Sequence, residues 1–413
     1  MKEENKVVSF RQGECSVADT VSALPEAVEP NKESDAPVAS KGSVDYIFLL
    51  ITLALVLFGC VMIYSASSVF AQQHHADHTY FIARHLFFLF VAVAATAILV
   101  RFCTYHVWED IGYILYAVSV ILLLLVPIIG VDLNSGAKRW LDFKIFTLQP
   151  SELAKLSLVL CLARFMSKHE KKILSEYKFG GSFKYGLLYP GLMIATFALL
   201  IAVEKHISGL MIIGMIGISL MFLGGTKLRY IFSIGGIVIG AACLLVLVSE
   251  YAQARVETWL FIDQADPLKD AWQTLQGLMA IGSGGLFGKG LGNSQQKFGF
   301  VSQPQNDFIF TIVCEELGFV GAAIVIALFV LFVWRGFRIA KHAPTKCTSL
   351  IVYGLVFKVA LQVILNLAVV TNSMPNTGIS LPFFSYGGTS FMLQIIEVGI
   401  ILSISRYSTH QKI

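Results

Sequence analysis

The sequence predicts an all-α, polytopic membrane protein of about ten transmembrane helices, and three observations carry that prediction. Of 413 residues, 56% are hydrophobic and only 14% charged, against about a quarter charged in a soluble globular chain. Apolar runs of about 20 residues, each long enough to cross a ~30 Å hydrocarbon layer, recur from Val44 onward. The runs lack the alternation of barrel strands, so they read as helices that satisfy their own backbone groups. This pattern excludes an ordinary soluble enzyme and a disordered chain. A net charge of only +4 and the absence of a Lys/Arg-dense face exclude a nucleic-acid binder.

Residues 1–43 differ from the rest. They hold eight acids and five bases, a net of −3, and almost no aromatics. Such a segment cannot bury enough apolar surface to order itself, so it is expected to be a disordered tail. It also lacks the basic start and apolar stretch of a signal peptide. The transmembrane domain is placed at 44–406 and a short second tail at 407–413. Within the domain, the apolar runs fall at roughly 46–66, 84–101, 111–131, 150–166, 187–203, 207–224, 229–249, 308–333, 349–373 and 387–405. With the N-terminus in the cytoplasm, the inner short loops collect about fourteen Lys and Arg, among them Lys168, Lys171, Lys172, Arg335 and Arg338. The outer ones collect about five: Arg84, Lys138, Arg139, Lys144 and Lys205. Both termini are therefore expected on the cytoplasmic side. Seven cysteines stand singly with no CxxC spacing, which argues against a disulfide framework or a zinc site.

One outer connection, 250–306 between the seventh and eighth helices, is far longer than the others and is expected to be ordered. Asp266 and Pro267 suit an N-cap and first helical position. Leu268, Ala271, Trp272, Leu275, Leu278 and Met279 then share one helical face, up to a stop at Gly282. That helix either lies on the outer membrane surface or packs on the bundle. The following run from Gly282 to Gly290 resembles a phosphate loop but fails its pattern at Ser283 and at Gly290. It is either a structural bend or a backbone cradle for a lipid pyrophosphate reached by Lys289.

Four polar clusters share the predicted outer face. Asp307, in Gln303-Pro304-Gln305-Asn306-Asp307-Phe308, stands where the long connection enters the eighth helix. A carboxylate at that boundary is partly desolvated and suits a general base; the alternative is a helix N-cap. Lys138 and Arg139 precede Gln149, Pro150, Ser151, Glu152 and Lys155. Their cations suit a pyrophosphate, while Glu152 and Lys155, three residues apart, also suit a local ion pair. The third cluster is the turn from Glu204 to Gly209, with Lys205. The fourth runs from Asn372 to Gly378 and on to Ser390, with Ser385. Deeper in the membrane, Glu315 and Glu316 follow Asp307. Lys358 and Glu397 lie at matching depths on consecutive antiparallel helices and are expected to pair. His74, His75, Asp77 and His78 have metal-ligand chemistry, but nothing in the sequence makes them converge.

These motifs resemble the SEDS family (shape, elongation, division and sporulation), the bacterial peptidoglycan glycosyltransferases. The resemblance covers roughly 45–405. It rests on Tyr64-Ser65-Ala66-Ser67, on Lys138-Arg139-Trp140 with Gln149-Pro150-Ser151-Glu152, and on Asn306-Asp307-Phe308-Ile309-Phe310 followed by Glu315-Glu316-Leu317-Gly318-Phe319. It also rests on Pro375-Asn376-Thr377-Gly378 and on Leu381-Pro382-Phe383 with Ser385-Tyr386-Gly387-Gly388. The turn from Lys205 to Gly209 and the residue before Asn306 resemble the division and sporulation branch, FtsW and SpoVE, more than the elongation branch, RodA. Asn306 replaces the usual Thr, and Lys138 stands where Arg or Gln is common.

The resemblance implies polymerisation of lipid II into glycan strands at the outer face of the bacterial cytoplasmic (inner) membrane, for septal or sporulation wall synthesis. Asp307 matches the family's essential aspartate and becomes the candidate catalytic base. The candidate substrate-binding residues are Lys138, Arg139, Gln149, Glu152, Lys155, Lys205, Lys289 and Ser385. A divalent cation, Mg or Mn, is a candidate to neutralise the departing pyrophosphate, with no metal ligands assigned. A class B penicillin-binding transpeptidase and division-site regulators are the implied partners. A lipid II flippase or other transporter is the rival reading, although no internal repeat is evident; a scaffold that only recruits wall enzymes is a third.

Overall fold

The computed structural model describes residues 42–132, 138–144, 146–175, 181–248, 250–262 and 271–408. Most of the two predicted tails, and the Asp266-Pro267 cap with Leu268, lie outside the described residues. Every predicted apolar run falls on a helix. The helices are α1 (Tyr46–His75), α2 (Tyr80–Phe102), α3 (Gly112–Ile129), α4 (Pro150–Lys168), α5 (Tyr189–Val203), α6 (Ile207–Leu223), α7 (Leu228–Val248), α8 (Glu250–Leu260), α9 (Trp272–Ser283), α10 (Ile309–Lys341), α11 (Lys346–Val370) and α12 (Gly388–Ser405). By length and composition, α1, α2, α3, residues 181–203 ending in α5, α10, α11 and α12 suffice to cross a membrane, and α6 is a shorter apolar helix. The only strands among the described residues are a two-stranded hairpin before α4, pairing Leu141 with Leu148 and Asp142 with Thr147.

Local signals set the helix ends. Asp45 caps α1 through Phe48 N at 2.9 Å and also pairs with Arg335 of α10. Thr345 and Thr348 form a reciprocal capping box at the start of α11. Pro150 occupies the first turn of α4, where its missing N–H costs nothing.

The bundle is enclosed around α4, α11 and α12, whose side chains are mostly buried. α12 packs on α2, α10 on α11 and α1, and α4 on α3, α6 and α11. Close approach uses small residues, as in membrane bundles. A Cβ on Gly112 would meet the Leu160 backbone at 2.9 Å, and one on Gly59 would meet the Phe383 carbonyl oxygen. Phe87 and Phe90 of α2, by contrast, point out of the bundle, as lipid-facing residues do. Lys358 and Glu397 form the expected pair: Nζ lies 2.5 Å from Oε1 and 2.7 Å from Oε2, with both side chains buried.

Two expectations for the long connection are refined. α9 packs on α10 through small residues, Ala271, Thr274, Gly277 and Ala280, while Met279 of the predicted apolar face is exposed. Packing needed close contact with Phe308, which a Cβ on Gly277 would block at 2.9 Å. The eighth apolar run is also not one continuous helix. Gly318, at φ 67° and ψ −166°, breaks α10 after its first turns. A break frees backbone groups that lipid cannot satisfy. The glycine-rich run fills it: Lys289 N donates to Glu315 O at 3.0 Å and Gly290 N to Glu316 O at 2.9 Å. In return, Phe319 N donates to Gly285 O at 2.9 Å and Val320 N to Leu286 O at 3.1 Å. Of the two readings of this run, the geometry matches the structural bend.

The two glutamates next to the break hold the rest of that loop. Glu316 accepts from Ser65 Oγ at 2.7 Å and Lys297 Nζ at 3.1 Å. Glu315 accepts from Lys289 Nζ at 2.8 Å, Ser294 Oγ at 2.5 Å and Gln295 N at 3.0 Å. Both carboxylates are fully buried, and such charges persist only when paired and hydrogen-bonded.

Candidate active site

The four polar clusters meet at one end of the bundle. The segment before α4, the turn between α5 and α6, and the connections before α10 and α12 surround a cavity of about 400 Å³. Arg139, Gln149, Glu152, Lys155, Lys205 and Asp307 line it. Lys138, Lys289 and Ser385 do not. Lys138 is exposed on the loop before the hairpin. Lys289 is engaged by Glu315. Ser385 is buried, with its hydroxyl donating to Asn306 O at 2.7 Å and accepting from Leu381 N at 2.7 Å.

Asp307 is half-buried two residues before α10. The helix is capped at Phe308 with no side-chain cap bond, so the Asp307 carboxylate is not an N-cap. A Cβ on Gly378 would lie 3.5 Å from Oδ2, which puts that glycine against the carboxylate. Burial raises the Asp307 carboxyl above the ordinary carboxylate range; its own backbone amide and the nearby Arg255 charge oppose the shift.

Around it stand cations held by other elements. Lys155 Nζ lies 2.6 Å from Glu152 Oε1, one turn apart on buried α4 positions, while Glu152 Oε2 has no protein partner. Arg139 donates to Lys205 O at 2.7 Å and more weakly to Glu204 O at 3.5 Å, so it caps the carbonyl end of α5. Arg255 of α8 donates to Asn376 O. Ser208 Oγ donates to Thr377 O at 2.9 Å, which joins α6 to the same loop.

Two titratable groups beside these cations are held neutral at pH 7. Burial pushes Glu204 up to about 8, against the pull of Arg139, and neither of its oxygens has a hydrogen-bond partner. Burial, helped by the Arg139 and Lys155 charges, pushes His206 down to about 3, against Glu152. The resulting site is a polar cavity walled by Arg139, Lys155, Lys205 and Arg255, with one desolvated carboxylate at its edge. Such an arrangement is suited to hold a polyanionic group while a carboxylate accepts a proton nearby.

Two lining residues, Arg255 and Gln362, escaped sequence reasoning, while His206, Gln303 and Tyr386 stood within the quoted polar clusters without being assigned to the site. One signal was available: Lys358, Gln362 and Asn366 recur every four residues on α11, a polar stripe in an apolar helix. Arg255 carried no such signal. Elsewhere, Asp77 accepts from Thr79 N at 2.8 Å, and His74 Nδ1 lies 3.0 Å from Phe70 O. Among the described residues, no group of three or more His, Cys, Asp or Glu side chains is placed to hold a metal ion.

Comparison with known proteins agrees with this architecture. The family model FtsW/RodA/SpoVE, described as "Cell cycle protein", matches residues 45–410. Stage V sporulation protein E of Bacillus subtilis (strain 168) is 37% identical over 372 residues, 90% of this chain and 99% of that protein. A protein named "Probable peptidoglycan glycosyltransferase FtsW" in Geobacter sp. (strain M18) is 32% identical over 362 residues, 87% and 96% of the two chains. Among solved structures, a chain from a peptidoglycan synthase complex, studied for its coordination of polymerization and crosslinking, superposes with a TM-score of 0.72. It is 25% identical and covers 89% of this chain and 99% of its own. Rod shape determining protein RodA of Thermus thermophilus gives 0.65, at 25% identity and 89% and 98% coverage. With several helices long and apolar enough to cross a membrane, the four polar loops converging on one cavity and a family match along nearly its whole length, this chain is a multi-pass membrane protein of the FtsW/RodA/SpoVE family.

Proposed function

We propose that this protein is a peptidoglycan glycosyltransferase that polymerises lipid II at the outer face of the bacterial cytoplasmic membrane, with Asp307 as the general base. The observation that carries the reading is a half-buried, proton-attracting carboxylate on the wall of a cavity lined by Arg139, Lys155, Lys205 and Arg255. The names of the relatives support the same activity.

The chemistry asks for these two features together. The donor sugar of lipid II carries an undecaprenyl pyrophosphate, so activation is already in the substrate. Asp307 takes the proton from the acceptor 4-hydroxyl as that oxygen bonds to the donor anomeric carbon. The carbon–oxygen bond to pyrophosphate breaks at the same centre, and the α-linked donor yields a β-linked product. Negative charge develops on the departing phosphate oxygens, and fixed cations stabilise it where it appears. Arg139 is the strongest candidate for that task, because its guanidinium is fixed by two backbone carbonyls. Glu152, with Oε1 committed to Lys155, holds that lysine in place. Among the described residues, the protein's own carboxylates do not form a divalent-cation site. No step is assigned to a Mg or Mn ion.

A class B penicillin-binding transpeptidase is the expected partner, since a structurally similar chain comes from a complex that couples polymerization to crosslinking. Septal or sporulation wall synthesis, with division-site regulators, is the expected setting, given the identity to the sporulation protein and FtsW.

The test is incubation of purified protein and its transpeptidase with labelled lipid II, followed by gel separation. Wild type should give a glycan ladder. Asp307→Asn should give none while keeping its melting temperature. A ladder from Asp307→Asn at the wild-type rate would overturn the assignment, and lipid translocation in vesicles would then separate the transporter reading.

A further inference from the structure

We propose that Asn366 and Ser385 are positioning residues that set the direction of the Asp307 carboxylate. The inference rests on the general-base reading above.

Asp307 lies on a short segment that no helix holds, because α10 begins after it without a side-chain cap. Three consecutive carbonyls of that segment are nevertheless each held by a donor remote along the chain. Gln305 O accepts from Tyr386 N at 2.8 Å. Asn306 O accepts from Ser385 Oγ at 2.7 Å. Asp307 O accepts from Asn366 Nδ2 at 2.7 Å. Each bond fixes one peptide plane, and the planes on either side of residue 307 fix its Cα–Cβ direction.

The donors are themselves immobilised. Asn366 is fully buried on α11 and uses the same Nδ2 to hold Ile379 O at 2.7 Å. One amide group thus ties the backbone of the candidate base to the backbone beside Gly378, where an added Cβ would lie 3.5 Å from Asp307 Oδ2. Ser385 accepts from Leu381 N at 2.7 Å while it donates to Asn306, so its hydroxyl is fully committed. This is the role the geometry gives Ser385 in place of substrate contact. The turn that presents it is shaped by Phe383 at φ 65°, a left-handed backbone that its tightly packed loop enforces.

Neither side chain lines the cavity, so their loss acts on Asp307 and not on substrate affinity. A misplacement of about 1 Å at a reacting group costs on the order of 10²-fold in rate. The experiment compares wild type, Asn366→Leu, Ser385→Ala, Ser385→Thr and Asp307→Asn as full-length protein with its transpeptidase. Initial rates are measured against lipid II concentration, and melting is followed in the same detergent. We expect Asn366→Leu and Ser385→Ala to lower kcat by roughly 10- to 100-fold with KM changed less than about twofold. Ser385→Thr, which keeps the hydroxyl, should recover most of the loss. If Asn366→Leu does not fold, the Ser385 pair decides. An inactive Asp307→Asn beside full kcat in Ser385→Ala and in any folded Asn366→Leu would overturn the positioning role and leave the base assignment standing. Raised KM at unchanged kcat in those variants would overturn the positioning role in the same way. An active Asp307→Asn would overturn both.

Discussion

Lys358 Nζ sits 2.5 Å from Glu397 Oε1, and neither side chain reaches the surface. The pair joins α11 to α12 close to the Glu152–Lys155 pair, whose charges it feels. Removing one partner strands a buried charge, a loss of ~3–5 kcal/mol, whereas removing both with apolar residues of similar volume is often neutral. Lys358→Met and Glu397→Leu should each lower the melting temperature sharply, and the double variant should recover most of the loss. Equal, additive losses in the double variant would mean that the two residues act separately.

Glu204 should make stability depend on pH. Its folded value of about 8 lies above its unfolded value near 4.5, so the folded protein binds a proton that the unfolded chain releases. The stabilisation from this group is complete below about pH 4.5 and is lost as pH rises through 8, at up to ~1.4 kcal/mol per pH unit. Glu204→Gln should flatten the decline of melting temperature over that window. A wild-type profile as flat as that of the variant would show that the Glu204 carboxyl is solvated.

Gly318 should tolerate no side chain. Its φ of 67° with ψ of −166° belongs to a region open essentially to glycine alone, and a Cβ would meet Gly288 N and Leu286 O of the inserted loop. Gly318→Ala should cost at least ~1–3 kcal/mol and lower the yield of folded protein. Gly285→Ala is the control: φ is 56° but nothing lies within 4 Å of its Cβ, so its cost should be ~1–2 kcal/mol. Similar melting losses for both would show that the loop does not seat in the helix break.

Arg139 and Lys289 should behave differently although both are cations in predicted outer segments. Arg139→Gln removes a charge from the cavity wall where negative charge develops on the departing phosphate, and should lower kcat and kcat/KM about tenfold, the loss of one charge-assisted hydrogen bond in the transition state. Lys289→Met leaves Glu315 still bonded to Ser294 and Gln295, so it should lower the melting temperature by a few degrees and leave kcat and kcat/KM unchanged. Steady-state kinetics at several lipid II concentrations, with melting curves, separates the two.

Much of this was legible from residues alone because the bilayer imposes a strong local rule. A run of about 20 apolar residues must be a helix, and the polar breaks between runs locate the loops. Arg139 and Lys205 stood out because few cations fall in the predicted outer short loops, and Asp307 because a carboxylate where a loop enters an apolar helix is partly desolvated. Lys358 and Glu397 stood out because antiparallel neighbours of equal depth can meet. The break at Gly318 was not legible: a glycine in an apolar helix is ordinary, and only the docking of 284–290 makes this one a discontinuity.

The sequence by itself determined the helical class, the apolar runs and the set of polar loops, since each follows from short-range periodicity and the cost of burying unpaired backbone. Tertiary structure alone decided which polar groups face the cavity. Lys289 and Ser385, candidate substrate ligands by sequence, do not line the cavity and bond to Glu315 and Asn306, while Arg255 and Gln362 reach the cavity from distant elements. The reason is that a hydrogen-bonding group can serve either a protein partner or a substrate, and its choice depends on neighbours that are remote along the chain.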